Sequence, residues 1–224
     1  MTKQSIIAID GPAASGKSTL AFLLAKKLGY LYFDTGLMYR AITWQSLHKE
    51  VDVRNESEVT KLANETVIEV LPSSVEDGRP CDVIIEEQDI TWEIKKPVVE
   101  GSVSVVAAYP GVRAALTAQQ RRIGLRGNVV MVGRDIGTVV LPDADLKIYL
   151  DASAEERARR RFSEMQSRGE SADYAQILAK VIERDQIDSN REVAPLKPAS
   201  DAVVINSSDM DIDAVLNFVL GLLK

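Results

Sequence analysis

The chain has 224 residues, 46% of them hydrophobic and 27% charged, with a formal net charge of −6 and a pI near 5.0. This is the composition of a soluble globular protein with enough chain for a substantial core, and it argues against disorder and against a broad nucleic-acid footprint. No run approaches the ~20 apolar residues of a membrane span, no charged leader opens the sequence, and the single cysteine, Cys81, allows no internal disulfide, so a cytoplasmic protein is expected.

In chain order, the apolar run Ile6 to Ile9 reads as a strand, and Lys17 to Leu28 as a helix. Between them lies GPAASGKS, Gly11 to Ser18, which fits G-x-x-x-x-G-K-S/T at every fixed position. Strand, glycine-bearing loop and helix N-terminus in succession turn several backbone N–H groups toward one anion. The spacing predicts a triphosphate site formed by Gly11, Pro12, Ala13, Ala14, Ser15, Gly16, Lys17, Ser18 and Thr19, with Lys17 reaching the β and γ phosphates and Ser18 ligating Mg²⁺. A chance glycine-rich turn is the bland alternative.

Tyr30 to Phe33 predicts a second, buried strand ending at Asp34, and Leu37 to His48 a helix. A strand, a helix and a strand within about 30 residues is the unit of a parallel sheet, so Asp34 stands at the edge where such sheets bind ligands. His48, the only histidine, reads as a surface or capping residue, and no Cys/His metal cluster can be assembled.

From about residue 64 to 97 the texture changes. Val67 to Leu71 and Cys81 to Ile85, separated by the turn-forming Glu76 to Pro80, predict an antiparallel hairpin inserted on the rim of the sheet, either a cover over a second substrate or a decorated loop. Helices are predicted over Val98 to Ala107 and Pro110 to Arg122, and strands over Asn128 to Val132 and Leu146 to Leu150.

Ser153 to Arg168 predicts a charged helix opened by a Ser153/Glu156 capping box, with Glu155–Arg159 and Glu156–Arg160 pairs. Arg157, Arg160 and Arg161 share one face, and three arginines exceed what the two glutamates neutralise, which suggests a phosphate-covering lid over a merely solvated helix. Tyr174 to Asn190 predicts a helix that sets Arg184, Asp188 and Arg191 in one stripe, suited to phosphate and a sugar hydroxyl or to an ordinary salt-bridged face. A last strand, Val203 to Ile205, and a closing helix, Ile212 to Leu223, complete the chain.

The ordered set GPAASGKST, DTGLMYRA, VAAYPGVRAAL, GRDIGTVVLPDADLKIYLDASAEERARRR and RDQIDSNREVAPLKPASDAVVI resembles the bacterial cytidylate kinases from Ile6 to the C-terminus. The resemblance implies an α/β P-loop NTPase three-layer fold with a five-stranded parallel sheet, an antiparallel β insert and a helical lid. It implies one nucleoside monophosphate kinase domain over 1–224: a core of 1–34, 99–152 and 190–224, an NMP-binding region of about 35–98, and a lid of about 153–170. The implied reaction is phosphoryl transfer from ATP to CMP or dCMP in a monomer with Mg²⁺, without nucleic-acid or membrane partners.

By the same resemblance Asp135, Arg113 and Ser104 read the cytosine, and Arg40 and Arg134 hold the monophosphate. Thr35 lies beside the ribose, Arg184, Asp188 and Arg191 contact sugar and phosphates, and Arg157 and Arg161 cover the ATP phosphates. The position before GRDIGT, usually acidic in the family, is Val132, which leaves Asp34 as the candidate for a water-mediated Mg²⁺ contact. A nucleotide-regulated switch is the rival class, and the N-K-x-D of its guanine-specific members does not occur in the sequence.

Overall fold

The computed structural model describes residues 5–191 and 193–223. Strand β1 (Ile6–Asp10) runs into the phosphate loop and helix α1 (Lys17–Leu28), then β2 (Leu31–Asp34) and α2 (Gly36–His48). A further helix, α3 (Glu56–Glu65), precedes the insert strands β3 (Ile68–Pro72), β4 (Cys81–Ile85) and β5 (Gln88–Asp89). Helices α4 (Pro97–Val106) and α5 (Pro110–Gly124) lead to β6 (Val129–Gly133), a single π-type turn over Ile136–Val140, and β7 (Leu146–Asp151). The chain closes with α6 (Ala154–Ser167), α7 (Tyr174–Ser189), β8 (Val203–Asn206) and α8 (Ile212–Leu222).

Five strands form one sheet in the order β2-β6-β1-β7-β8, with β1–β7 and β7–β8 paired in parallel. The insert is a separate sheet, β3-β4-β5, antiparallel throughout. Its register places Ile68 opposite Ile85 and Val70 opposite Val83, all four buried, so the pleat supplies one apolar face. Both sheets match the sequence-based expectation. Helix α3 does not appear in that expectation: Asn55 caps it, accepting from Glu58 N at 3.3 Å, and its buried Val59, Leu62 and Ala63 fall at helical spacing.

The backbone divides into two compact units. The first holds Gly29–Met131 with the residues up to Ile6; α2 packs on α4 and α3 on α5, and Phe33, Met38, Ile42 and Leu116 are fully buried. The second holds Ile7–Leu28 and Val132 onward; α1 packs on α8 and α6 on α7, over Ile7, Ile9, Leu20 and Leu24. Strand β1 is apolar up to its last residue, Asp10, as buried strands of a parallel sheet are, whereas β7 sets Lys147 and Asp151 among Leu146, Ile148, Tyr149 and Leu150.

Candidate active site

In the second unit, Gly11 follows β1 at φ +151°, and a Cβ there would lie 2.1 Å from Leu150 O, so only glycine lets the loop leave the strand so close to β7. Gly16 and Ala14 also take positive φ, +93° and +60°, which curls the loop around its own N–H groups. Lys17, only 5% exposed, donates from Nζ to Pro12 O at 2.7 Å and is thereby held across the loop at the start of α1. Ser18 stands next to it with its residue exposed, in the first turn of that helix.

Two arginines of α6 grip the loop from outside. Arg157, buried, donates from Nε to Ala152 O at 2.9 Å, from Nη1 to Ala13 O at 3.1 Å and to Asp185 of α7 at 2.9 Å, and from Nη2 to the other Asp185 oxygen. Arg160 donates to Glu156 at 2.8 Å, to Ser15 O at 3.2 Å and to Ser207 O at 2.5 Å. These bonds engage the Ala13 and Ser15 carbonyls and so tie two points of the loop to α6. Arg161 instead points outward to Glu164 and is half exposed. The three arginines thus share a helix face in sequence but occupy three different environments. Glu156 takes both Arg159 and Arg160, where the sequence predicts separate glutamate partners, and the Ser153 cap forms, accepting from Glu156 N at 3.1 Å.

Beside the loop, a cavity of about 320 Å³ is lined by Gly16, Thr19, Leu150, Arg160, Met210 and Val215, among others.

A second cluster in this unit centres on Asp188, fully buried on α7. Arg134 Nε lies 2.9 Å from its carboxylate, Arg184 Nε 3.2 Å, and Arg191 Nη2 in hydrogen-bond contact. Burial pushes this carboxyl up, but Arg134 first, then Arg184 and Arg191, more than offset that and hold it below the usual carboxylate range. Three guanidinium groups around one carboxylate leave net positive charge. Arg134 and Asp135 form the bend between β6 and the π-type turn. Asp135, 8% exposed, accepts at its carbonyl from Val139 N at 2.9 Å and Val140 N at 3.1 Å.

In the first unit, Arg40 of α2 forms an ion pair with Glu100 of α4, and Ser104 lies one turn further along α4 on the same face. The Arg113 guanidinium stands 5.8 Å from the Tyr39 ring centroid. Thr35, buried, opens α2, while Asp34 accepts from Gly36 N at 2.9 Å and Tyr32 Oη at 3.5 Å. Among the described residues no group of three or more His, Cys, Asp or Glu could hold a metal ion. The Ser18 hydroxyl in the first turn of α1 and the Asp34 carboxylate are oxygen donors, the ligand type that Mg²⁺ takes.

Sequence reasoning found the phosphate loop and the Asp188 stripe, but not Asp10, Glu100, Arg160 as a loop contact, or Asp185 as the partner of Arg157. Asp10 carries a readable signal, a lone carboxylate ending an otherwise apolar strand; the others take partners from elements distant in sequence.

A loop of main-chain amides shaped for polyphosphate, at the carboxyl end of a strand in a five-stranded parallel sheet, puts the protein among the P-loop kinases. Shikimate kinase from Bacteroides thetaiotaomicron shares this fold at a TM-score of 0.50 and 12% identity, covering 98% of each chain. An uncharacterized protein from Eubacterium ventriosum ATCC 27560 shares it at 0.54 and 13%, again over 98% of each. The cytidylate kinase family profile matches residues 7–224, and the chain belongs to that family. It is 50% identical to the cytidylate kinase of Roseiflexus castenholzii over 99% of this chain and 94% of that protein. It is 44% identical to that of Bacillus velezensis over 100% and 98%.

Proposed function

We propose that the enzyme transfers the γ-phosphoryl group of ATP to the 5′-phosphate of CMP or dCMP, giving ADP and CDP or dCDP. The reading is carried by one observation: an intact phosphate loop and a net-positive arginine cluster stand in the same unit of a chain whose family match covers 7–224. The attacking phosphate oxygen is already ionised, so no general base is needed and the work is positioning and charge neutralisation.

Residues 11–19 bind the ATP phosphates, and the adjoining cavity takes the donor's base. Lys17 neutralises charge on the transferring group, aided by Arg157, Arg161 and Arg184. Arg40 and Arg134 hold the monophosphate, Thr35, Arg184, Asp188 and Arg191 the sugar and phosphates, and Ser104, Arg113 and Asp135 the cytosine. Asp135 accepts from the N4 amino group, where UMP offers a carbonyl oxygen that the carboxylate repels. When bound, Mg²⁺, held by Ser18 and through water by Asp34, adds positive charge along the phosphates. Residues of about 35–98 form the acceptor-binding region and about 153–170 a lid that excludes water. The enzyme works as a cytoplasmic monomer; no described helix is long and apolar enough to cross a membrane.

A coupled assay offering CMP, dCMP, UMP, AMP and shikimate tests the reading, with CMP and dCMP expected to turn over fastest. Lys17→Ala is expected to lower kcat roughly a thousandfold with the fold intact. Asp135→Ala should narrow the CMP-over-UMP preference roughly 10- to 100-fold, the worth of a charge-assisted hydrogen bond. Preference for UMP or shikimate in the wild-type protein would overturn the assignment.

A further inference from the structure

Asp10 is the last residue of β1 and the immediate neighbour of Gly11, and its carboxylate bonds to the turn after β6. It is 4% exposed, and its two oxygens accept from Ile136 N at 2.8 Å and Gly137 N at 2.7 Å. Those are the first N–H groups of the π-type turn, the ones a helical turn cannot satisfy from within. Asp135, which opens this turn, contributes its carbonyl to Val139 and Val140 instead. A π-type turn is a high-energy conformation that persists only where its surroundings fix it, and Asp10 supplies that fixing across 126 residues of sequence.

The packing admits little slack. A Cβ on Gly137 would meet Lys147 Cδ at 3.2 Å and Asp10 Oδ2 at 3.4 Å. The Lys147 ammonium is committed elsewhere, to Asp201 at 2.7 Å and 2.9 Å. The charged and titratable groups that act on Asp10 are Asp135 in the turn, Lys17 on α1 and Tyr149 on β7. Each Asp10 oxygen accepts one backbone N–H of the turn, Oδ1 from Ile136 and Oδ2 from Gly137.

We propose that Asp10 is a positioning residue for the acceptor nucleotide: from the root of the phosphate loop it clamps the turn that sets the direction of Asp135 and Arg134. The proposal rests on the reading of those two residues as acceptor-binding. It gives the donor loop and the acceptor reader one shared anchor, so their spacing is fixed by two hydrogen bonds instead of by the loops themselves.

The test uses the full chain with Asp10→Asn, Gly137→Ala and Asp135→Ala, measuring kcat and KM for CMP, UMP and ATP, with thermal melts to verify folding. In Asp10→Asn the amide oxygen accepts one N–H, but the amide nitrogen opposes the other donor to donor, so the turn must shift. The expected result is a CMP KM raised roughly tenfold and a narrowed CMP-over-UMP ratio, with ATP KM within about twofold, the loss of one buried acceptor being enough for this. Gly137→Ala displaces the same turn without altering charge and should act in the same direction; if Asp10→Asn does not fold, it decides alone. Wild-type CMP KM in both variants, or an equal rise in ATP KM, overturns the proposal. Unchanged base discrimination in Asp135→Ala overturns the base-reading assignment instead, and the CMP KM of the other two variants still decides the role of Asp10.

Discussion

At the scale of single residues, Asp10 and Asp188, two of the buried carboxylates of the second unit, respond to pH in opposite ways. Burial, the largest influence on Asp10, pushes its pKa up to about 6, against the pull of its two N–H bonds, while Asp188 is held low by its arginines. A carboxyl whose folded pKa is raised keeps its proton more tightly when folded. Its stabilising contribution is therefore full below pH 3.8 and is lost as pH rises through about 6. Ionised Asp10 is thus a cost, on the order of 3 kcal/mol at pH 7.5, that the protein carries to hold its turn. Wild type is expected to gain stability relative to Asp10→Asn as pH falls from 7.5 to 5, and urea midpoints across that window measure it. Asp188 works in the other direction but identically in both proteins, so the difference isolates Asp10; parallel midpoints would show that the group does not titrate in this range.

At the scale of elements, what was legible followed from local pattern. The hairpin β3–β4 declared itself by two β-branched runs around a Glu-Asp-Gly-Arg-Pro turn, and α5 by Pro110 at its start. Helix α3 was readable from Asn55 with Glu58 three residues on, but its short apolar stripe is easily taken for a charged connection. The reading of α6 counted charges along one helix, whereas Arg157 finds its carboxylate on α7 and its carbonyl in the phosphate loop, and no single-element count contains them. Helix α4 carries a glycine that the fold does not use: Gly101 is exposed, and a Cβ there meets nothing within 4 Å. Gly101→Ala should therefore stabilise by up to about 1 kcal/mol through helix propensity. In a chain of this size that raises Tm by about 2–4 °C, readable by calorimetry. A lowered Tm would mean that α4 needs the freedom of that residue.

At the scale of the whole molecule, the alternation of strands and helices around the phosphate loop revealed the parallel sheet, while its strand order, β2-β6-β1-β7-β8, had to come from packing. The division into two units is likewise silent in the sequence, because its dividing points lie after Ile6 inside β1 and after Met131 inside β6. Domain seams usually fall in exposed linkers, but Ile7, Met131 and Val132 are buried strand residues, so neither unit can unravel up to its boundary without breaking a strand. Cys81 can report on this. It is 1% exposed in β4 of the first unit, and burial first, then the negative charge of Asp34, pushes its thiol up to about 12. The thiol should therefore react with an aromatic disulfide reagent only when the chain opens. Since residues 11–19 lie in the second unit, ATP·Mg²⁺ at a hundred times its Kd should slow that labelling about 100-fold if both units open together. That slowing is expected; a labelling rate indifferent to ATP would mean that the unit holding Cys81 opens by itself.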